Sequence, residues 1–525
     1  MKLLLAILLC VQAALATQPN DSSRPNIILI LVDDMGYSDI GCYGGEVKTP
    51  NIDRLARRGL RFTSMYNTSK CFPSRACLLI GVYAQQCGMG RSSKGGIRNA
   101  VTVAELLRTQ GYRTLAVGKH HSTTSLHDRG FDRFYGFHYG PGKSCANHFN
   151  PGLQRPGEGV PARKRGETRT YCFDDEKMIP HYSPSEKDWY TTDYFTNWAV
   201  DFLEEYKDES RPYFLYVYYT APHDPLHAWP EDVAKYDGVY DVGYGKIREA
   251  RFQRQKEQGL FGREVRLSDA THTAWDALSP EKKRDQIRRM QVYAAMIDRV
   301  DQNIGKLLAK VRSLGQEENT LILFASDNGC SSENVNTGTG EIGSLTRWAS
   351  LQRDWANVSN TPFRYWKNLS HEGGIRTPFI VYWPRVITDG GGINRQPVHF
   401  VDVMATFLEI TGAAYPDNSR GQSIVPLQGE SLLPALAGKE LPARKNPIFF
   451  EYGSGGAVRE KRWKLVTKSL SRKPGRKNQG RPEQWELYDM DIDMTEITNV
   501  ADQNPDVARR LGRLWTDWRR KAYSP

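Results

Sequence analysis

Asn26-Ile-Ile-Leu-Ile-Leu-Val32 is an almost unbroken aliphatic run that stops at two adjacent carboxylates, Asp33-Asp34. A strand with one wet face alternates apolar and polar side chains, so a run like this is expected to be buried on both faces. Such a strand belongs inside a parallel or mixed sheet covered by helices on either side. Residues 112–117, 213–219, 320–325 and 378–383 repeat the signal, and residues 101–109, 285–314 and 402–408 carry helical patterns between them. The alternation predicts an α/β fold with a large mixed, mostly parallel central sheet flanked by helices. The tail reads differently. Residues 448–452 and 463–466 are strand candidates joined by Gly-rich turns, 486–488 is expected to pair with them, and a charged helix is expected over 505–521. A small C-terminal antiparallel sheet plus one helix is the predicted ending.

The chain has 525 residues, enough for one large α/β unit with an appendage. Residues 1–16 read as a signal peptide: Lys2, a short apolar run, then Ala14-Leu15-Ala16 before a cut at Thr17. That run is too short to span a bilayer, and no other stretch approaches the length needed. Export to the periplasm or the medium, without stable membrane insertion, is therefore expected. The formal charge of +11 falls to +10 once Lys2 leaves. A basic exported protein suits acidic partners such as sulfated or uronic glycans or anionic lipid. Nucleic acid ranks last, because no nucleic-acid-binding motif is present. Of the eight cysteines, Cys10 leaves with the leader and Cys71 sits in a motif of its own. The other six (Cys42, Cys77, Cys87, Cys145, Cys172 and Cys330) allow about 15 pairings, and the spacing selects none of them.

Asp33-Asp34 follows the first strand candidate, and Asp327-Asn328 holds the same position after the one at 320–325. An isolated acidic pair more often caps a turn. Two such pairs at strand ends supply four hard oxygen side chains, and neighbouring carboxylates repel unless a cation lies between them. The set suggests Ca2+ or Mg2+. Zinc is disfavoured because no His or Cys accompanies the pairs in ligand spacing.

Cys71-Phe-Pro-Ser-Arg-Ala-Cys-Leu-Leu-Ile-Gly81 puts a Pro two residues and an Arg four residues after a Cys, and Ser74 onward reads as a helix N-terminus, where backbone N–H groups favour negative charge. This element closely resembles the signature of the type I, formylglycine-dependent sulfatases, arylsulfatase-like members of the alkaline phosphatase superfamily. In that family the Cys is oxidised to formylglycine, whose aldehyde hydrate attacks sulfate esters. Ile80 stands where the family usually has Thr. The resemblance continues through Gly118-Lys119-His120-His121, where His120 replaces the usual Trp, through the Ala-Pro-His turn at His223, and through the segment 360–376 that contains Lys367. It runs in the family's order from about Arg24 to about Asn499.

The resemblance implies a Ca2+ site, with Mg2+ second, made of Asp33, Asp34, Asp327, Asn328 and the modified Cys71. It assigns Arg75 to the hydrate oxygen, Lys119, Lys367 and His223 to substrate binding and catalysis, His223 as acid for the leaving oxygen and His121 as base. Asp327 is the ligand expected to take the nucleophile's proton. Arg364 and His371 lie nearby in sequence and receive no role. The implied organisation is a signal peptide at 1–16, a catalytic domain at 17–425 and a C-terminal α+β subdomain at 426–525. The implied activity is sulfate monoester hydrolysis, and the implied partners are a sulfated carbohydrate and a formylglycine-generating or anaerobic sulfatase-maturing enzyme. Basic segments at 155–169 and 471–481, with Trp189, Trp229, Trp355 and Trp366, are candidates for reading the sugar. Two other readings remain: a phosphonate or phosphate ester hydrolase of the same superfamily, and a non-catalytic binder of sulfated glycans if Cys71 is never converted.

Overall fold

The computed structural model describes residues 24–138, 146–164, 166, 168–173, 177–470 and 484–524. The expected leader and the basic stretch at 471–481 lie outside them. In chain order the first strands are β1 (Asn26–Asp33), β2 (Leu60–Tyr66), β3 (Arg113–His120), β4 (Arg133–His138), β5 (Tyr171–Phe173), β6 (Lys177–Ile179), β7 (Tyr213–Pro222) and β8 (Thr320–Ser326). A separate pair, β9 (Asn336–Gly338) and β10 (Arg347–Ala349), precedes β11 (Arg376–Tyr382), β12 (Gly392–Asn394) and β13 (Val398–His399). Among the described residues these build an eleven-stranded sheet in the order β12-β2-β11-β8-β1-β7-β3-β4-β5-β6, with β13 also on β2. The middle five, β8 to β4, are parallel, and β11 runs against both its neighbours.

The aliphatic run behaves as its composition requires. Ile28, Ile30 and Val32 enter one apolar core, while Ile27, Leu29 and Leu31 enter the other, with β1 as the wall between them. The long helix Pro280–Ser313 and the helix Thr191–Glu205 contribute to the first core. Cys71–Ile80 and Val401–Thr411 contribute to the second. The expected helices and strands are present, with one shift that matters. The helix expected from Ser74 begins at Cys71, so the cysteine is itself the first helical residue. Among the described residues no helix is long and apolar enough to cross a membrane. The described cysteines, Cys42, Cys71, Cys77, Cys87, Cys172 and Cys330, are free and buried.

After a two-residue pair, β14 (Asn418–Ser419) and β15 (Gln422–Ser423), the tail forms an antiparallel sheet of β16 (Ile448–Tyr452), β17 (Gly455–Glu460), β18 (Trp463–Thr467) and β19 (Glu486–Asp489). The Gly-rich stretch expected to be only turn thus holds a strand. A Cβ on Gly456 would come 2.5 Å from Leu470 and 2.8 Å from Trp515, so glycine here serves close packing. One face of this sheet packs Val458, Leu465 and Leu487 against Leu511 and Trp515 of the Pro505–Ala522 helix. The other face brings Ile448, Phe450, Val466 and Tyr488 against Tyr66 and Ile375 of the main unit.

Through that second face runs a buried ionic cluster. Lys464 on β18 donates to Glu372 at 2.6 Å and to Glu496 at 2.7 Å, while Tyr66 and Arg376 donate to the other Glu372 oxygen at 2.8 and 3.1 Å. Burial alone would raise Glu372, but Lys464, Arg376 and Arg459 bring it down to about 2. A carboxylate depressed in the folded state stabilises the fold above its ordinary value near 4.5 and ceases to as the pH falls toward 2. Glu372→Gln should therefore cost about 3–5 kcal/mol at neutral pH, the scale for breaking a buried charge pair. It should also flatten the fall in stability between pH 4.5 and 2. Denaturant unfolding of both proteins across that range measures both effects, and parallel pH profiles would contradict them.

Candidate active site

Strand pairing explains why residues remote in sequence meet. β1 and β8 are parallel neighbours with Val32 opposite Ser326, so Asp33-Asp34 and Asp327-Asn328 leave the sheet side by side. β7 flanks β1 on the other side, with Pro222 opposite Asp33, which brings His223 to the same edge. β3 follows and ends in Lys119 and His120. The group thus gathers beyond the carboxyl ends of parallel strands, where open α/β sheets bind ligands. Asp34 holds a φ of 65°, a left-handed conformation that Asp tolerates better than most residues.

The centre is a lattice of opposite charges. Lys119 donates to Asp33, and Lys367 donates to Asp34 at 2.6 Å. Arg75 reaches Asp327 at 2.7 Å and Asp33 at 3.6 Å. His223 Nε2 lies 3.3 Å from Asp34 Oδ2, and Asn328 donates to Asp34 Oδ1 at 2.6 Å. Ligating atoms of Asp33, Cys71 and Asp327 lie within 4.8 Å of one another, as do those of Asp33, Asp34 and His223. Cys71 is 1% exposed, and Lys119 and Lys367 equally so. His121 is buried beside this group, its ring 5.7 Å from that of Phe72.

Electrostatics separates the three carboxylates. Burial would raise Asp33, but Lys119, His223 and Arg75 hold it below the usual range; Asp34 is likewise held down, by Lys367 and His223. Asp327 is pushed up to about 6 by burial and by Asp33, against the pull of Arg75. His121 lies well below an ordinary imidazole, because it is buried and faces Lys119 and Arg75, so it is neutral. Two oxygens of the group, Asp33 Oδ1 and Asn328 Oδ1, are buried with no hydrogen-bond partner among the described residues. Orphaned acceptors beside mutually repelling carboxylates are what an oxygen-ligated cation would satisfy, so the donor set fits a hard divalent ion.

Several supporting residues carry no sequence signal of their own. His223 Nδ1 lies 2.7 Å from Asp224 Oδ1, while Ser350 and Trp348 both donate to Asp224 Oδ2. His148 Nε2 meets the His223 carbonyl at 3.2 Å. Adjacency to His223 was the one available pointer to Asp224. Arg364 and His371, left without a role above, both contact Glu486 of β19, at 2.9 and 3.1 Å, and tie the Lys367 loop to the tail sheet. Gly373 and Gly374 close that loop: a Cβ on Gly374 would lie 1.9 Å from the Leu369 carbonyl oxygen. Of the tryptophans suggested for sugar stacking, Trp189 and Trp355 are fully buried core residues, which removes them from that role. Trp229 and Trp366 are half-buried. In the basic segment 155–169, Lys164 pairs with Glu333, whose carboxyl lies within electrostatic reach of Asp224, Lys367 and His223.

Comparison with known proteins agrees with this geometry. Residues 25–413 match the family model Sulfatase, and residues 363–519 match the model described as N-sulphoglucosamine sulphohydrolase, C-terminal. The chain is 32% identical to an arylsulfatase of Klebsiella aerogenes, covering 78% of this chain and 91% of that protein. It is 30% identical to an uncharacterized sulfatase of Schizosaccharomyces pombe, covering 94% and 93%. Among solved structures, Ps i-CgsB in complex with k-i-k-neocarrahexaose superposes with a TM-score of 0.65 at 26% identity, covering 94% of this chain and 93% of that one. The chain belongs to the sulfatase family of the alkaline phosphatase superfamily and is a sulfuric ester hydrolase.

Proposed function

We propose that this sulfatase is exported and removes sulfate from sulfated poly- or oligosaccharide, using formylglycine made from Cys71 and a Ca2+ held by Asp33, Asp34, Asp327, Asn328 and the modified residue 71. The observation that carries the reading is the meeting of Cys71 with two acidic pairs in one buried group. Conversion requires a formylglycine-generating or anaerobic maturing enzyme acting on the Cys71 segment. The carbohydrate assignment is supported by the hexaose held by Ps i-CgsB and by the match to the sulphohydrolase C-terminal model. We further propose a catalytic domain and a C-terminal α+β subdomain dividing near residue 426. The separate core of the tail sheet supports this, and Leu432, Leu436 and Leu441, which pack on the main sheet, make 426–447 the connection.

When present, the formylglycine hydrate supplies the nucleophilic oxygen, and Ca2+ supplies charge that lowers its hydroxyl pKa. The remaining work falls to the chain's own side chains. Lys119, Lys367 and Arg75 offer cationic donors to the sulfate oxygens, where negative charge must be held during S–O cleavage. Asp224 occupies His223 Nδ1, which leaves Nε2 to deliver a proton to the leaving oxygen. His121, kept neutral by burial and by Lys119, is suited to accept a proton in the second half-reaction. Asp327, pushed up to about 6, is the carboxylate best suited to take one in the first.

The mass of the proteolytic peptide spanning Cys71, from protein of the native host, tests the nucleophile. Aldehyde or its hydrate in place of the thiol is expected, and an intact thiol would favour a binding role instead. His223→Ala should lower kcat/KM by about 10²–10⁴-fold on alkyl sulfates and far less on activated phenyl sulfates. Equal losses would remove the acid assignment, and paired sulfate and phosphate esters of one alcohol report whether sulfur is the preferred centre. Adding Ca2+ to chelator-treated protein at 100 times its Kd should stabilise it by about 2.7 kcal/mol. Asp34→Asn should reduce that gain, as read by the Tm with and without Ca2+.

A further inference from the structure

A cleft of about 450 Å³ opens beside the active site and is walled by Lys70, Arg91, Asn368, Glu451, Tyr452 and Tyr523. Lys70 is the residue before Cys71 and Asn368 the residue after Lys367, so two of its walls are continuous with the catalytic group. The Asn368 amide donates to the Ser69 carbonyl at 2.7 Å and holds these two segments together. The cleft is therefore adjacent to the segments that carry Cys71 and Lys367.

Its charge is unbalanced. Lys70 is half-buried, and among the described residues no carboxylate pairs with its ammonium, which lies 5.8 Å from the Tyr452 ring centroid. Arg91 is exposed and stacks 3.8 Å from the Tyr523 ring centroid, again with no carboxylate partner among the described residues. The only carboxylate among the lining residues, Glu451, is engaged by Arg519 at 2.9 Å. Lys367, itself cationic, stands close enough to repel Lys70, while Glu333 and Asp34 attract Lys70 without forming a salt bridge to it. Two cations with no carboxylate in salt-bridge contact among the described residues, next to a site that already concentrates positive charge, mark a place for a second anion. Tyr452, set edge-on to Phe72 at 5.7 Å, adds an aromatic wall of the kind that contacts sugar rings.

We infer that this cleft selects glycans carrying a second anionic group, a carboxylate or a further sulfate, on or next to the sugar that bears the scissile sulfate, with Lys70 and Arg91 pairing to it and Tyr452 against the ring. The inference rests on the carbohydrate reading above and adds which carbohydrates are preferred.

The test uses matched glycans that differ only in the second anionic group. Calorimetric binding to full-length Cys71→Ala protein avoids turnover and is expected to favour the dianionic glycan by tenfold or more, since charged hydrogen bonds are at stake. That preference should shrink in 0.5 M salt, fall about tenfold in Lys70→Met, fall in the exposed Arg91→Gln variant, and recover in Lys70→Arg. The kcat/KM ratio of the two glycans on converted enzyme should follow the same order. Equal binding of both glycans, or a preference that survives both Lys70→Met and Arg91→Gln, overturns the inference while leaving glycan desulfation intact. Turnover of an aryl sulfate with release from neither glycan overturns the carbohydrate reading, and this inference with it.

Discussion

Three buried carboxylates, Asp33, Asp34 and Asp327, stand within reach of one another at the end of β1 and β8, and the site is organised around their repulsion. Each is answered by a cation drawn from a different part of the chain: Lys119 from β3, Lys367 from a loop before β11, and Arg75 from the helix that starts at Cys71. In formal charge the group balances near neutrality, which makes it tolerable in a low-dielectric interior. Asp327, the least well answered, is the one driven toward protonation. A divalent ion among these oxygens would tip the balance to positive and free the lysines to face an anionic ester. The same side chains that serve as counterions here would then be available as donors to an anion.

The tail sheet takes part in that arrangement from a distance. Glu486 holds Arg364 and His371, and Lys464 bridges Glu372 and Glu496, so both ends of the Lys367 loop are tied to strands formed more than 70 residues later. Lys367 must displace water and hold its ammonium against Asp34 while fully buried. A loop free to sample alternatives would not keep it there. The tail sheet is therefore best understood as the rigid backing of the Lys367 loop.

Local chemistry made much of this legible before any coordinates. The aliphatic run of β1 needs no partner to declare itself buried, and the acidic pairs at strand ends advertise a cation by their own repulsion. What the sequence hides is pairing. Nothing near Glu372 says that its counterion is Lys464, because the bond joins residues with no shared periodicity. Trp189 and Trp355 look like Trp229 and Trp366 until the fold decides which faces are wet. Gly455-Gly456 reads as a turn because the Trp515 ring that demands glycine there arrives some sixty residues later. The cleft is hidden for the same reason: Lys70, Arg91 and Tyr452 are unremarkable singly and informative only together.

The Ser69 to Asn368 backbone bond closes a loop of roughly 300 residues, and the Glu372–Lys464–Glu496 bridge waits for the last thirty residues of the chain. During synthesis at about 5–20 residues per second, roughly 425 residues must follow Cys71 before Glu496 emerges, a delay on the order of 20 seconds to a minute and a half. Throughout that interval the Lys367 loop lacks part of the ionic cluster that ties it to the tail sheet. The backbone bond beside Cys71 and the ionic cluster behind the Lys367 loop are thus among the last contacts of the main unit to become available to a growing chain.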